Sequence, residues 1–230
     1  MDNNQLATLL TILAVIGFIV LIIGGIVVAV IIQHKRERER TEQLKSTASL
    51  LGLEFAPTAP LTWIPNLEAF ELFNQGHSKT ITNVLYGQID GVKGAVFDYQ
   101  YVVGHGKHRS THNQSVVYFE PRDLRLPVFS LRPEGTFHKI MSAFGYQDID
   151  FGNRPEFSKR YLLRGQDEPA VRNTFSEAAL GFYEMNQGSC TDGGGNQIFV
   201  FRQGRRVEPL EAQSFVNWAV GVKNLFARRW

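Results

Sequence analysis

The chain has 230 residues, enough for one or two domains, and its 43% hydrophobic and 20% charged content is ordinary globular usage. A formal charge of +2 argues against a strongly basic nucleic-acid binder, so no nucleic-acid partner is expected. The single cysteine, Cys190, excludes an internal disulfide framework and a four-cysteine zinc site.

Apolar residues are unevenly placed. All 24 Lys and Arg follow Gln33, and the stretch from Leu6 to Ile32 carries no charge. As a helix, residues 6–32 would run about 40 Å at ~1.5 Å per residue, against a hydrocarbon core of about 30 Å. Residues 1–33 therefore read as a transmembrane anchor whose partner is the lipid bilayer. A cleaved signal peptide would need a basic start, a shorter apolar core and a small-x-small site. Met1–Gln5 has no basic residue, and no Ala-x-Ala follows the core. Lys35, Arg36, Arg38 and Arg40 follow the span and no cation precedes it. By the positive-inside rule the protein is expected in the inner membrane, with its N-terminus outside and the rest in the cytoplasm. Gly25 and Ala29 have the small-xxx-small spacing that permits pairing of two copies.

Residues 34–65 read as a basic juxtamembrane helix and a linker, and 66–230 as a soluble α+β domain. Leu44, Ala48 and Leu51 keep helical spacing, and Gly52 marks the stop. Prolines at 57, 60 and 65 make Ala56–Pro65 a linker that is neither helix nor mid-sheet, and Asn66 is expected to cap a short helix through about Phe73. Asp90-Gly91 between Thr80–Ile89 and Val92–Val103 is a type I′ hairpin signal. On the second of these strands Ala95, Phe97, Tyr99, Tyr101 and Val103 form the expected core face; Asp98 lies on the other, open to solvent or paired with Arg132 or Arg160. A polar loop, Gly104–Asn113, leads to strands at Gln114–Phe119 and Pro127–Arg132. Phe137, Ile140, Met141 and Phe144 predict a helix ended by Gly145, and Phe157–Arg164 a strand. Pro169 after Asp167 and Glu168, and then Ser176, open two helices. Gly193–Gly195 reads as a turn before a strand at Gln197–Arg202. Pro209 opens a last helix with Phe215, Trp218, Ala219, Val222, Leu225 and Phe226 on one face.

Strands come first and helices are interspersed later, without βαβ alternation. The expected fold is thus α+β: a transmembrane helix, then a mainly antiparallel sheet packed by helices, including a long C-terminal one. A pleckstrin-homology-like barrel closed by one helix is the alternative.

The chemistry-bearing candidates are sparse. The 104–112 loop collects three of the six histidines, His105, His108 and His112, with Lys107 and Arg109 among them. Such a set suits a phosphate or an anionic lipid headgroup. The imidazoles would hold zinc only if the loop were helical, which its glycines oppose, and a plain solvated hairpin tip is the simpler reading. Asp148 and Asp150 have the spacing of paired carboxylates but also of turn formers. Cys190 has no base or cation beside it in sequence, so it reads as a structural thiol. No phosphate-loop, nucleophile-elbow or zinc-protease motif is present, and no cofactor is implied.

Several phrases carry a resemblance: Phe97-Asp98-Tyr99-x-Tyr101, Gly104-x-Gly106-Lys107 with Thr111-His112, Phe129-x-x-Arg132-Pro133-Glu134, Asp148-x-x-Phe151 and Pro155-x-x-x-x-x-Tyr161-x-x-x-Gly165. Over about residues 35–225 the chain resembles a family of uncharacterised bacterial single-span membrane proteins carrying a domain of unknown function. That resemblance implies a bacterial, membrane-anchored domain and brings no catalytic residues. Three functions follow as expectations. The first is a cytoplasmic protein-interaction or regulatory domain without enzymatic activity; the second is an anionic-lipid or phosphate sensor using the 104–112 loop. The third is an enzyme assembled from dispersed residues such as Asp98, His112 and Arg132.

Overall fold

A computed structural model of the protein describes residues 2–135 and 148–227; the helix expected over 137–144 lies outside them. The chain forms two compact units, Met1–Gln43 and Leu44–Trp230. The first is most of helix α1, Asn3–Leu50, which is long and apolar enough to cross a membrane. Leu10, Phe18, Leu21 and Ile26 on it are all exposed. The helix ends as the sequence suggests. Gly52 N–H donates to Ser49 O at 3.2 Å and Leu53 N–H to Ala48 O at 2.8 Å, the paired bonds that close a helix on a glycine.

The second unit is built on one eight-stranded sheet in the order β1-β2-β3-β4-β8-β7-β5-β6, with every pairing antiparallel. The strands are β1 Glu54–Ala59, β2 His77–Ile89, β3 Val92–Val103, β4 Ser110–Glu120, β5 Leu126–Pro133, β6 Tyr161–Gly165, β7 Ser189–Gly195 and β8 Gln197–Arg202. The helices after α1 are α2 Glu71–Asn74, α3 Pro155–Arg160, α4 Glu168–Thr174, α5 Glu177–Met185 and α6 Ala212–Phe226. This is the expected α+β class, with the C-terminal helix against the sheet. It is not the barrel alternative, because among the described residues β1 and β6 are edges that do not pair with each other.

Both faces of the sheet are covered, which the sequence does not announce. On one face Val96, Val117, Leu131, Leu163 and Val200 meet Leu180, Phe215, Ala219 and Val222 from α5 and α6, together with Leu44 and Ala48 from the end of α1. On the other, Phe97, Tyr99, Tyr118, Phe199 and Phe201 meet Phe70, Leu72 and Phe73 from the segment between β1 and β2. Phe73 packs edge-on to Tyr99 at 4.9 Å and to Phe199 at 5.0 Å. The near-continuous burial along β3 follows from this double cover, as in any sheet buried on two sides.

Several sequence expectations are corrected. The first residues of the expected 56–65 linker, up to Ala59, belong instead to the edge strand β1. Its register runs Ala56↔Val84 and Thr58↔Thr82, and Pro57, between them, sits on an edge that tolerates a missing N–H. Asn66 does not cap with its side chain; it takes a left-handed conformation before a short 3-10 turn, Leu67–Ala69. Phe157–Arg164 is a helix followed by a strand: Pro155 starts α3, and Phe157 and Tyr161, four apart, stack at 5.5 Å. The outer edge of β6 is closed by Ile149 N–H donating to Leu163 O at 2.7 Å and by Leu163 N–H donating to Asp148 Oδ1 at 3.0 Å. Asp148 thus has a structural use.

Gly193 and Gly194 belong to strand β7, not to a turn. A Cβ at Gly193 would lie 2.8 Å from Phe129 Cζ and 3.0 Å from Leu126 Cδ1, so the glycine makes room for an aromatic ring. Gly193→Ala is expected to destabilise the unit by about 1–3 kcal/mol through overpacking. A lowered denaturant midpoint with an unchanged slope would show it; an unchanged midpoint would mean the ring has room to move.

Candidate functional site at the β3–β4 turn

The β3–β4 hairpin is longer and tighter than the expected loop. Its strands stay in register out to Val103↔Ser110, leaving only 104–109 as turn. Gly104 has φ +77, and a Cβ there would strike the carbonyl of His108, so only glycine fits. His105, Lys107, His108 and Arg109 are all exposed on this turn. No acidic residue occurs between Tyr99 and Phe119, so the tip is uniformly basic.

The histidines do not converge. His105 stacks on His77 of β2, with ring centroids 4.7 Å apart and planes 2° from parallel. His77 in turn has Nε2 3.0 Å from Gly104 O and Nδ1 2.9 Å from Ser78 Oγ, which pins it to the turn. His112 lies in β4 opposite Tyr101 and stacks on its ring at 5.0 Å. His105 and His112 thus sit against different neighbours, His77 and Tyr101, while His108 lies in a 3-10 turn, Gly106–His108. Among the described residues no group of three or more His, Cys, Asp or Glu is placed to hold a metal ion. His77 was missed at the sequence level because only strand pairing brings it beside a turn 28 positions later in the chain.

The dispersed trio does not assemble either. Asp98 pairs across β3–β4 with Ser115 and His112 with Tyr101, and the register is unbroken between them. An odd offset of three residues puts Asp98 and His112 on opposite faces of the sheet. Asp98 is buried and accepts bonds from Ser115 Oγ at 2.7 Å, Asn83 Nδ2 at 3.0 Å and Arg206 Nη2 at 3.3 Å. Its cationic partner is thus Arg206, not Arg132 or Arg160.

Arg132 belongs to a second polar cluster inside the aromatic face. Its Nη2 donates to Asp192 Oδ2 at 2.9 Å, while Nη1, which donates to Leu131 O at 2.9 Å, lies 2.6 Å from Oδ1 as an ion pair, a buried fork between neighbouring strands β5 and β7. Asp192 Oδ2 also accepts Leu72 N–H at 2.9 Å, and the guanidinium lies 4.7 Å above the Phe201 ring. Burial opposes the charge on Arg132, but Asp192 outweighs it, so the guanidinium is held charged. This cluster ties the covering segment to the sheet. Cys190 is fully buried next to it, and burial pushes its thiol up to about 11, which makes it inert at neutral pH.

Glu71 is the strained member. Burial raises its pKa, Arg132 and Ser130 work against that, Asp192 adds to it, and Oε1 has no hydrogen-bond partner among the described residues. A carboxyl raised in the folded state costs stability once the pH rises through its folded pKa, while below the unfolded value it costs nothing. Glu71→Gln is expected to raise the melting temperature at pH 7 and to leave it near wild type at about pH 3, below the ordinary carboxylate range. Equal shifts at both pH values would contradict this.

No family model matches the chain, and no curated protein is similar to it in sequence. A solved fold does match. The crystal structure of the mycobacterial trehalose monomycolate transport factor A, TtfA, superposes with a TM-score of 0.56 at 14% identity, covering 84% of this chain and 99% of that one. At that identity the likeness is one of fold.

Proposed function

We propose that this protein is a membrane-anchored, non-enzymatic accessory factor. On this reading its α+β domain lies on the cytoplasmic side of a bacterial inner membrane and binds a protein partner in an envelope transport process. The observation that carries the reading is α1, in which an uncharged apolar stretch from Leu6 to Ile32 passes without a break into the basic flank Lys35–Arg40. Two further observations support it. Inside the domain Arg132 and Asp192 pair with each other between strands, and the fold is shared with a protein named as a transport factor. The experiment is photo-crosslinking from exposed positions of the full chain in its own membranes, with the reactive side chain at Met185 or Leu210. A discrete adduct with an integral membrane transport protein is the expected result; no protein adduct from either position would contradict it.

A second reading has its own observation. The β3–β4 tip carries Lys107 and Arg109, exposed, with no acid from Tyr99 to Phe119. Such a tip suits anionic headgroups, whose attraction is worth about 1 kcal/mol per cation near the surface. In full-length protein reconstituted into anionic nanodiscs, trypsin cleavage after Lys107 and Arg109 is expected to slow relative to neutral ones. Equal cleavage in both would end this reading.

A further inference from the structure

One cavity of the domain lies away from that tip. It has a volume of about 430 Å³ and sits between the start of β3, the β4–β5 turn and the last turn of α6. Val92, Leu124, Phe226 and Ala227 give it apolar walls, and Arg122, Asp123, Arg125 and Lys223 give it three cations against one carboxylate. Lys223 is the informative residue. Its side chain is only 7% exposed, yet among the described residues its ammonium has a single hydrogen-bonding partner, Asp90 Oδ2 at 2.7 Å, besides the Phe119 ring at 5.8 Å. An ammonium carries three donors, so two of them remain for an acceptor placed in the cavity that Lys223 lines. Arg125 is held over the turn, its Nη1 donating to Arg122 O and Leu124 O at 2.7 Å each, while Arg122 is exposed at the mouth. Lys223 also offsets the partial negative charge of the α6 C-terminus, which would otherwise repel an anion.

We propose that this cavity binds an amphiphile with one acidic head and a medium-length apolar tail. Lys223, Arg122 and Arg125 take the head, and Val92, Leu124 and Phe226 take the tail. The volume lies in the ordinary range for small-molecule sites, about 300–1,000 Å³. Removing one charge-assisted hydrogen bond from such a site lowers affinity by about tenfold or more, and each tail methylene withheld lowers it by about fourfold. The inference is independent of which side of the membrane the domain occupies.

The test uses the full chain in nanodiscs and a medium-chain fatty acid carrying a diazirine. Photolysis is expected to attach it to peptides containing Leu124 or Phe226. Unlabelled fatty acid and the corresponding alkyl phosphate should compete, with the alcohol of the same length and inorganic phosphate each about tenfold weaker or worse. The double variant Arg122→Ala/Arg125→Ala alters only exposed side chains and is expected to cut labelling at those peptides by about tenfold. Lys223→Met is expected to do the same if it still folds. Equal competition by the alcohol would overturn the acidic head, and competition by phosphate as strong as by the fatty acid would overturn the tail. Labelling confined to α1 would overturn the site.

Discussion

Arg132→Ala is expected to lower the stability of the domain by about 3–5 kcal/mol, the usual loss when one partner of a buried pair is removed. The side chains of Arg132 and Asp192 are 3% and 0% exposed, so no solvent screening softens the effect. Without the guanidinium, Asp192 keeps a buried negative charge held by the Leu72 N–H, close to a second carboxyl on Glu71. For a domain of this size each kcal/mol is worth about 2–4 °C, which puts the fall in melting temperature at roughly 6–20 °C. Asp192→Ala should cost a similar amount, since it strands the cation instead. The double variant Arg132→Met/Asp192→Leu fills the same space with no charge and is expected to recover most of the loss. Differential calorimetry of the three variants decides it. A single variant within about 1 kcal/mol of wild type would show that the fork does not hold the covering segment.

The second large effect concerns α1 as the proposed anchor. Ile19 and Ile23 lie one helical turn apart in the middle of the apolar stretch of α1 and are exposed there. Replacing both by Asp is expected to cost about 5–7 kcal/mol of insertion free energy, on top of two lost apolar contributions. The whole stretch supplies roughly 6–11 kcal/mol on the same scale. The double variant should therefore leave the carbonate-resistant membrane fraction, while Ile19→Leu/Ile23→Leu stays in it. Retention of the Asp variant in that fraction would mean that some other part of the chain holds it there.

Much of this fold is legible where the signal is local. The Asp90-Gly91 hairpin, the Ser176 cap that accepts from Ala179 N–H, the apolar stripe of α6 and the Gly52 stop are each set by neighbours within a few residues. What the sequence hides depends on distant strands. Gly193 reads as a turn former until Phe129, from another strand, is seen to need its missing side chain. Pro57 reads as linker because nothing local says that its strand is an edge. The same holds for the site: the basic tip is visible as residues 104–112, but the His77–His105 stack arises from pairing across the sheet, and the Arg206 partner of Asp98 comes from the segment after β8. The cavity at Lys223 has no motif at all, since its walls come from three separated segments.

The proposed placement, an anchored domain facing the cytoplasm, is tested most directly with a thiol. Cys190 itself will not serve, because it is buried and its thiol is pushed up to about 11. Met185, 81% exposed at the end of α5, is the better position. In cells carrying Met185→Cys, an impermeant maleimide should label the protein only after the membrane is permeabilised. Labelling of intact cells would contradict the account and place the domain on the outer side.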